Sequence, residues 1–227
     1  MSCLNICFLG TMEYGQALDL QEKVWALRKD NVIGDTILLV EHNSVLTLGR
    51  RGGRDNILLS AQELEKLGVK TFDITRGGDV TYHGPGQIVG YPIMDLNLYE
   101  RDIKKFVGTI QNVFIELLKN EFDIEAYRDD KTYTGVWVED KKITAIGIAV
   151  RQAVTMHGFA FNVNTDLSHF LWINPCGITD KGVTSVQALT GKEQDMEQMF
   201  KLVAKYFCKG FNLDCKIIDK QELLKFS

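Results

Sequence analysis

The chain has 227 residues, 45% of them hydrophobic and 25% charged, enough to bury a globular core without metals or disulfides. A formal net charge of −4 excludes a nucleic-acid binder carried by bulk positive charge. The longest apolar runs, such as ILLV at 37–40, are far too short to cross a bilayer.

MSCLNICFLGTMEYG lacks the basic start and long apolar core of a secretory signal, and the arginines of a mitochondrial presequence. A cytoplasmic protein is therefore expected. Tyr14, Leu18, Val24 and Leu27 fall near helical spacing and predict a helix over 12–30. DTILLVEH and SVLTLG predict two short strands. Ser60, with Glu63 three residues on and Gly68 beyond, predicts a capping box and a glycine stop around a short helix. Residues 69–76 alternate like a strand. Ile103, Phe106, Val107, Ile110, Val113 and Leu117 mark an amphipathic helix. GVWVED and KITAIGIAV flank Asp140-Lys141 and predict a hairpin, and GFAFNVN (158–164) continues the β character. Met196, Met199, Phe200, Val203 and Phe207 mark a helix near the C-terminus. Helices mixed with hairpins predict an α+β fold with a mostly antiparallel sheet. With no internal repeat or Pro/Ser-rich linker, one domain over 1–227 is expected.

The five cysteines are odd in number and show no C-x-x-C spacing, so free thiols in a reducing compartment and no metal site are expected. Cys3, Cys7, Cys208 and Cys215 read as structural, Cys208 at the end of an apolar helix and Cys215 in a strand-like piece. Cys176 differs. It lies between Pro175 and Gly177 in WINPCGITDKGVTS, where a thiol is presented at a turn rather than packed in a core. Locally it reads either as a nucleophile or as a buried structural thiol. A nucleophile must ionise from a pKa of about 8.5, and His83, His157, Lys142 and Arg76 are the candidate helpers. Lys142 opens an apolar strand, so it is either a partly desolvated base or, beside Lys141, a solvated hairpin lysine.

RGGDVTYHGPGQIVGYPIMDL (76–96) holds five of the chain's twenty glycines and two of its three prolines. It matches neither G-x-x-x-x-G-K-[ST] nor a G-x-G-x-x-G that opens a helix. Val80, Thr81, Tyr82, Ile88 and Val89 suggest strands, and the glycines suggest backbone shaped as a groove for an extended, mostly apolar ligand.

Three segments, RGGDVTYHGPGQIVGYPIMDL, KKITAIGIAVRQAVTMHGFAFNVNTDLSHF (141–170) and INPCGITDKGVTS (173–185), together resemble one family. The chain is similar to the octanoyl-acyl carrier protein:protein N-octanoyltransferases, the lipoyl(octanoyl) transferase family of lipoate biosynthesis. The likeness spans nearly the whole chain, including LLVEHNSVLTLGRRG near the start. Where the family often has prolines, this chain has Asn43 and Ser44, a difference confined to one loop.

The resemblance implies transfer of an octanoyl group from acyl carrier protein, through a cysteine thioester, to a lysine of apo lipoyl domains. The acceptors would be 2-oxoacid dehydrogenase complexes and the glycine cleavage H protein, and no cofactor is implied. It makes Cys176 the nucleophile and Lys142 its activator. It places Arg76, Gly77, Gly78, Asp79, Val80, Thr81, Tyr82 and His83, with Ala145, Ile146 and Gly147 and with Gly158, Phe159 and Ala160, around the acyl chain. Oxyanion donors are expected among backbone N–H groups near Gly77-Gly78 or Gly177. Gly147 and Gly158 are expected to leave room for the tunnel. Ile146 and Phe159 are either walls or core, and His83 either orients the site or is structural. The implied fold is that of biotin and lipoate protein ligases, a mixed sheet with flanking helices and a smaller second sheet. The rivals are an ATP-dependent ligase on that fold and a non-catalytic binding module. A monomer is expected. Arg50, Arg51 and Arg54 are either a docking patch for an acidic carrier or a solvated charge run.

Overall fold

The computed structural model describes residues 3–129, 134–174 and 182–225. The large sheet is built from β1 (Cys3–Met12), β2 (Thr36–His42), β6 (Gln87–Ile93), β7 (Tyr127–Arg128), β8 (Gly135–Val138), β9 (Lys141–Arg151), β10 (Val154–Asn162), β11 (Gly182–Val183) and β12 (Asp214–Ile217). Its order is β12-β1-β2-β6-β10-β9-β8-β7, with β11 beside β9. A second, three-stranded sheet is formed by β3 (Val45–Leu48), β4 (Lys70–Asp73) and β5 (Val80–His83), with β3 in the middle. The pairs β1–β2, β1–β12, β9–β11 and β3–β4 are parallel, and the others are antiparallel. This is the mixed sheet with a smaller second sheet that the resemblance implied, and it is mostly antiparallel, as the hairpins predicted.

Strand alternation gives the large sheet two apolar faces. Ile37 and Leu39 of β2 join Phe159 and Phe161 beneath α3 (Ile103–Phe122) and α5 (Met196–Phe211). Leu38 and Val40 face the other way, with Val89 and Ala160, beneath α1 (Tyr14–Lys29). A strand covered on both sides has no polar face, which is why ILLV reads as a continuous apolar run. The small sheet makes its own core of Leu46, Leu48, Val80 and Tyr82 with Leu64 of α2 (Ala61–Lys66). The remaining helices are α4 (Val186–Thr190) and α6 (Lys220–Leu224). No described helix is long and apolar enough to cross a membrane.

Local signals placed several ends accurately. Both halves of the Ser60–Glu63 capping box are present. The hairpin loop is Glu139-Asp140, one residue earlier than expected; Glu139 takes the left-handed φ of 51° and Lys141 already belongs to β9. The buried face of α1 differs more. Leu18 and Leu27 are only half-buried, while polar Gln21 and Arg28 are buried. Arg28 is tolerated there because its Nε donates to Asp35 Oδ1 at 2.6 Å, and Asp35 also accepts from the Tyr99 hydroxyl at 2.7 Å.

The expectation of free thiols is corrected at one pair. Cys208 and Cys215 are joined by a disulfide, with their Cα atoms 6.3 Å apart. Asn212 ends α5 in the left-handed conformation (φ 53°), and the turn brings β12 back past the helix end. Cys3 is free and exposed. Cys7 is free and buried, and its thiol is pushed up to about 11, chiefly by burial.

Candidate active site

β9 and β10 run antiparallel with Gly147 opposite Gly158, Ile146 opposite Phe159 and Ala145 opposite Ala160. The two short motifs of the sequence reading are therefore direct cross-strand partners. Ile146 and Phe159 turn into the α3/α5 core, where the Phe159 ring lies 4.8 Å from that of Phe114. Gly90, opposite Phe159 on β6, makes room for that ring: a Cβ there would lie 2.1 Å from Phe159 Cζ.

The glycine motif folds over this strand pair. A Cβ on Gly147 would meet Gly77 O at 3.0 Å and Arg76 Cδ at 3.1 Å, so the bare backbone of β9 lets residues 76–77 lie against it. Gly158 serves a different end from the one expected. A Cβ there would stand 1.9 Å from Gly90 O, so its bareness admits the neighbouring strand and does not clear a channel. Gly78 adopts φ +90°, which favours glycine. The carbonyls of Arg76, Gly78 and Asp79 accept from the N–H groups of Arg50, Arg51 and Gly49 at 3.0–3.2 Å, tying the loop after β3 to the motif. Arg76 is buried, with Nη2 donating to Thr47 O at 2.7 Å and Nη1 to Gly77 O at 3.0 Å. Asp79 accepts from Val80 N at 2.6 Å and Asn56 Nδ2 at 2.8 Å.

Between these elements lies a cavity of about 1080 Å³. Arg76, Gly77, Gly78, Asp79, Val80, Thr81, His83, Lys142, Ala145, Ile146, Gly147, Gly158, Phe159 and Ala160 all line it. Tyr82 does not. Strand alternation turns it to the other face of β5, where its hydroxyl meets Ser44 Oγ at 3.0 Å and His169 Nδ1 at 2.7 Å. Cys176 and Gly177 lie outside the described residues. On one side of them Asn174 N donates to Asn56 O at 2.8 Å, and on the other Gly182 and Val183 pair with Lys141 and Lys142. Of the three arginines, Arg51 also lines the cavity, and Arg54 forms an exposed ion pair with Asp73 at 3.3 Å.

Lys142 is half-buried, with Nζ 4.8 Å from the centroid of the Trp137 ring. A hydrogen-bonded chain joins its strand to His83. His83 Nδ1 lies 2.8 Å from Gln87 Oε1, and Gln87 Nε2 donates to Asn162 Oδ1 at 2.8 Å. Asn162 Nδ2 then donates to Thr184 O, and Thr184 N to Lys142 O, both at 3.0 Å. His83 also stacks on Tyr14, with 6.1 Å between ring centroids.

Two imidazoles are held neutral. Burial, then the neighbouring His42, drives His83 down to about 3. Burial, then Arg76, drives His157 down to about 4. In the unfolded chain both protonate near 6.5, so below that pH the unfolded state binds more protons and folding weakens. Their stabilisation is complete above about pH 6.5 and is lost as pH falls toward 4 and 3, by up to about 1.4 kcal/mol per pH unit for each. Urea midpoints should therefore fall between pH 7 and pH 5, and His83→Gln should flatten the fall. Equal midpoints at both pH values would contradict these shifts.

Comparison with known proteins places this geometry. Residues 13–208 match the lipoyl protein ligase A/B catalytic domain. An octanoyltransferase of Caldicellulosiruptor bescii is 57% identical over 221 residues, 97% of each chain. One from Desulforamulus reducens is 54% identical over 97% of this chain and 96% of its own. The chain belongs to the octanoyltransferases of the lipoyl protein ligase A/B family. It is an acyltransferase. Its fold recurs in a putative lipoate protein ligase from T. acidophilum, with a TM-score of 0.76 at 13% identity over 100% of this chain and 92% of that one. It recurs more distantly in the Aquifex aeolicus biotin protein ligase, with a TM-score of 0.53 at 15% identity over 93% and 70%.

Several residues lining the cavity of this octanoyltransferase-family chain were not singled out from sequence. Gln87 and Asn162 are buried polar residues at the ends of their strands, and such residues must find partners. That signal was available. Tyr14 and Tyr91 carry none, since each reads as an ordinary core aromatic.

Proposed function

We propose that the chain transfers an octanoyl group from the thioester of acyl carrier protein to a lysine ε-amine of an apo lipoyl domain, through an acyl thioester on Cys176. The acceptors are the lipoyl domains of 2-oxoacid dehydrogenase complexes and the glycine cleavage H protein, the setting is cytoplasmic, and residues 1–227 act as one catalytic domain. The observation that carries this reading is Lys142, set in a cavity with Ala145, Gly147 and Ala160, in a chain 57% identical to an octanoyltransferase.

In the first half-reaction the Cys176 sulfur attacks the thioester carbonyl, the carbon–sulfur bond to the carrier breaks, and Lys142 passes the thiol proton to the departing thiol. In the second, the acceptor amine attacks the acyl-enzyme, and its proton returns through Lys142 to the Cys176 sulfur. Thioester exchange needs no external energy source and amide formation is downhill, so ATP is not required. Backbone N–H groups near Gly77-Gly78 are suited to the oxyanion. The cavity lined by residues 76–78, Ala145, Gly147 and Ala160 is where the alkyl chain would lie.

The test is transfer from octanoyl-acyl carrier protein to an apo lipoyl domain without nucleotide. Octanoylated domain is the expected product. Modification only with free octanoate and ATP would assign the chain to the ligases that share its fold.

A further inference from the structure

We infer that Gly135 and Trp137 of β8, anchored by Gln111 of α3, are positioning residues that hold the Lys142 side chain in the cavity. This rests on Lys142 being the proton carrier proposed above.

The register between β8 and β9 slips at this point. Val136 pairs with Thr144 but Trp137 pairs with Lys142, leaving Ile143 as the extra residue of a bulge. Such bulges re-aim the side chains beside them. Lys141, one residue earlier, is exposed, whereas Lys142 lies along the sheet. Its stem crosses Gly135: a Cβ there would sit 3.2 Å from Lys142 Cε, 3.3 Å from Cδ and 2.7 Å from Thr144 O. Gly135 also has φ +154°, which side-chain-bearing residues rarely adopt. Any larger residue would lift the lysine off the strand or push the two strands apart.

The far end of the stem is fixed by Trp137. The ring is 1% exposed and cannot swing away, and its centroid lies 4.8 Å from Nζ, within cation–π range. Gly135 is held in turn from α3, where Gln111, itself buried, donates from Nε2 to Gly135 O at 2.9 Å. A flexible four-carbon stem is thereby guided along the strand to the ring face.

The test compares Trp137→Phe, Trp137→Leu, Gly135→Ala and Lys142→Ala, each checked for folding by thermal melting. The readouts are kcat and KM for octanoyl-acyl carrier protein. Trp137→Leu should lower kcat about 10- to 100-fold with KM within about twofold, as a misplaced reacting group does. Trp137→Phe should restore most of kcat. Gly135→Ala should lower kcat comparably, and it decides the matter if Trp137→Leu does not fold. Wild-type kcat in the folded Trp137 and Gly135 variants, with Lys142→Ala inactive, would overturn the positioning role alone. An active Lys142→Ala would instead remove the proton carrier on which it rests.

Discussion

Replacing Cys176 with alanine should lower octanoyl transfer by roughly a thousandfold or more. Without the sulfur no acyl-enzyme forms, and the acceptor amine must attack the carrier thioester directly. The substitution leaves the cavity lining at residues 76–78 unchanged, so binding of the donor should persist while turnover is lost. Cys176→Ser should retain a slow route through an oxyester, because a hydroxyl ionises far less readily than a thiol. Single-turnover transfer from octanoyl-acyl carrier protein to an apo lipoyl domain measures this. A Cys176→Ala rate within tenfold of wild type would remove the covalent step.

Lys142→Ala should slow both half-reactions by about 10²- to 10⁴-fold, the usual worth of a positioned acid–base group. The fold should survive, since Lys142 is only half-buried and its backbone remains paired with Trp137 and Val183. The two half-reactions should respond differently to pH. Above about pH 8.5 a free cysteine ionises unaided, so the acylation defect should shrink as pH rises. Rapid-quench measurement of acyl-enzyme formation separates the halves. A defect in acylation that stays constant from pH 7 to pH 9 would mean that Lys142 does not activate the thiol.

Much of the molecule could be read from local sequence where the cause is local. The stripe Phe106, Ile110, Val113 and Leu117 of α3 and the Ser60–Glu63 box both depend on spacing within a turn or two. Tyr82 shows a local rule left unused: alternation along β5 turns it from the cavity that His83 enters. The pairing of Ala145-Ile146-Gly147 with Gly158-Phe159-Ala160 is not local. It depends on register across the β9–β10 pair, which no single motif encodes. Gln21 and Arg28 were hidden for a similar reason, since their partners His157 and Asp35 come from other elements. The Cys208–Cys215 bridge has no spacing signature and follows from where Asn212 ends α5.

The most direct test of the central claim is intact-protein mass spectrometry after mixing with octanoyl-acyl carrier protein in the absence of ATP, followed by peptide mapping. A hydroxylamine-labile octanoyl adduct on Cys176, lost when an apo lipoyl domain is added and recovered on that domain's lysine, is the predicted result. No adduct, with the domain modified only when octanoate and ATP are supplied, would contradict it.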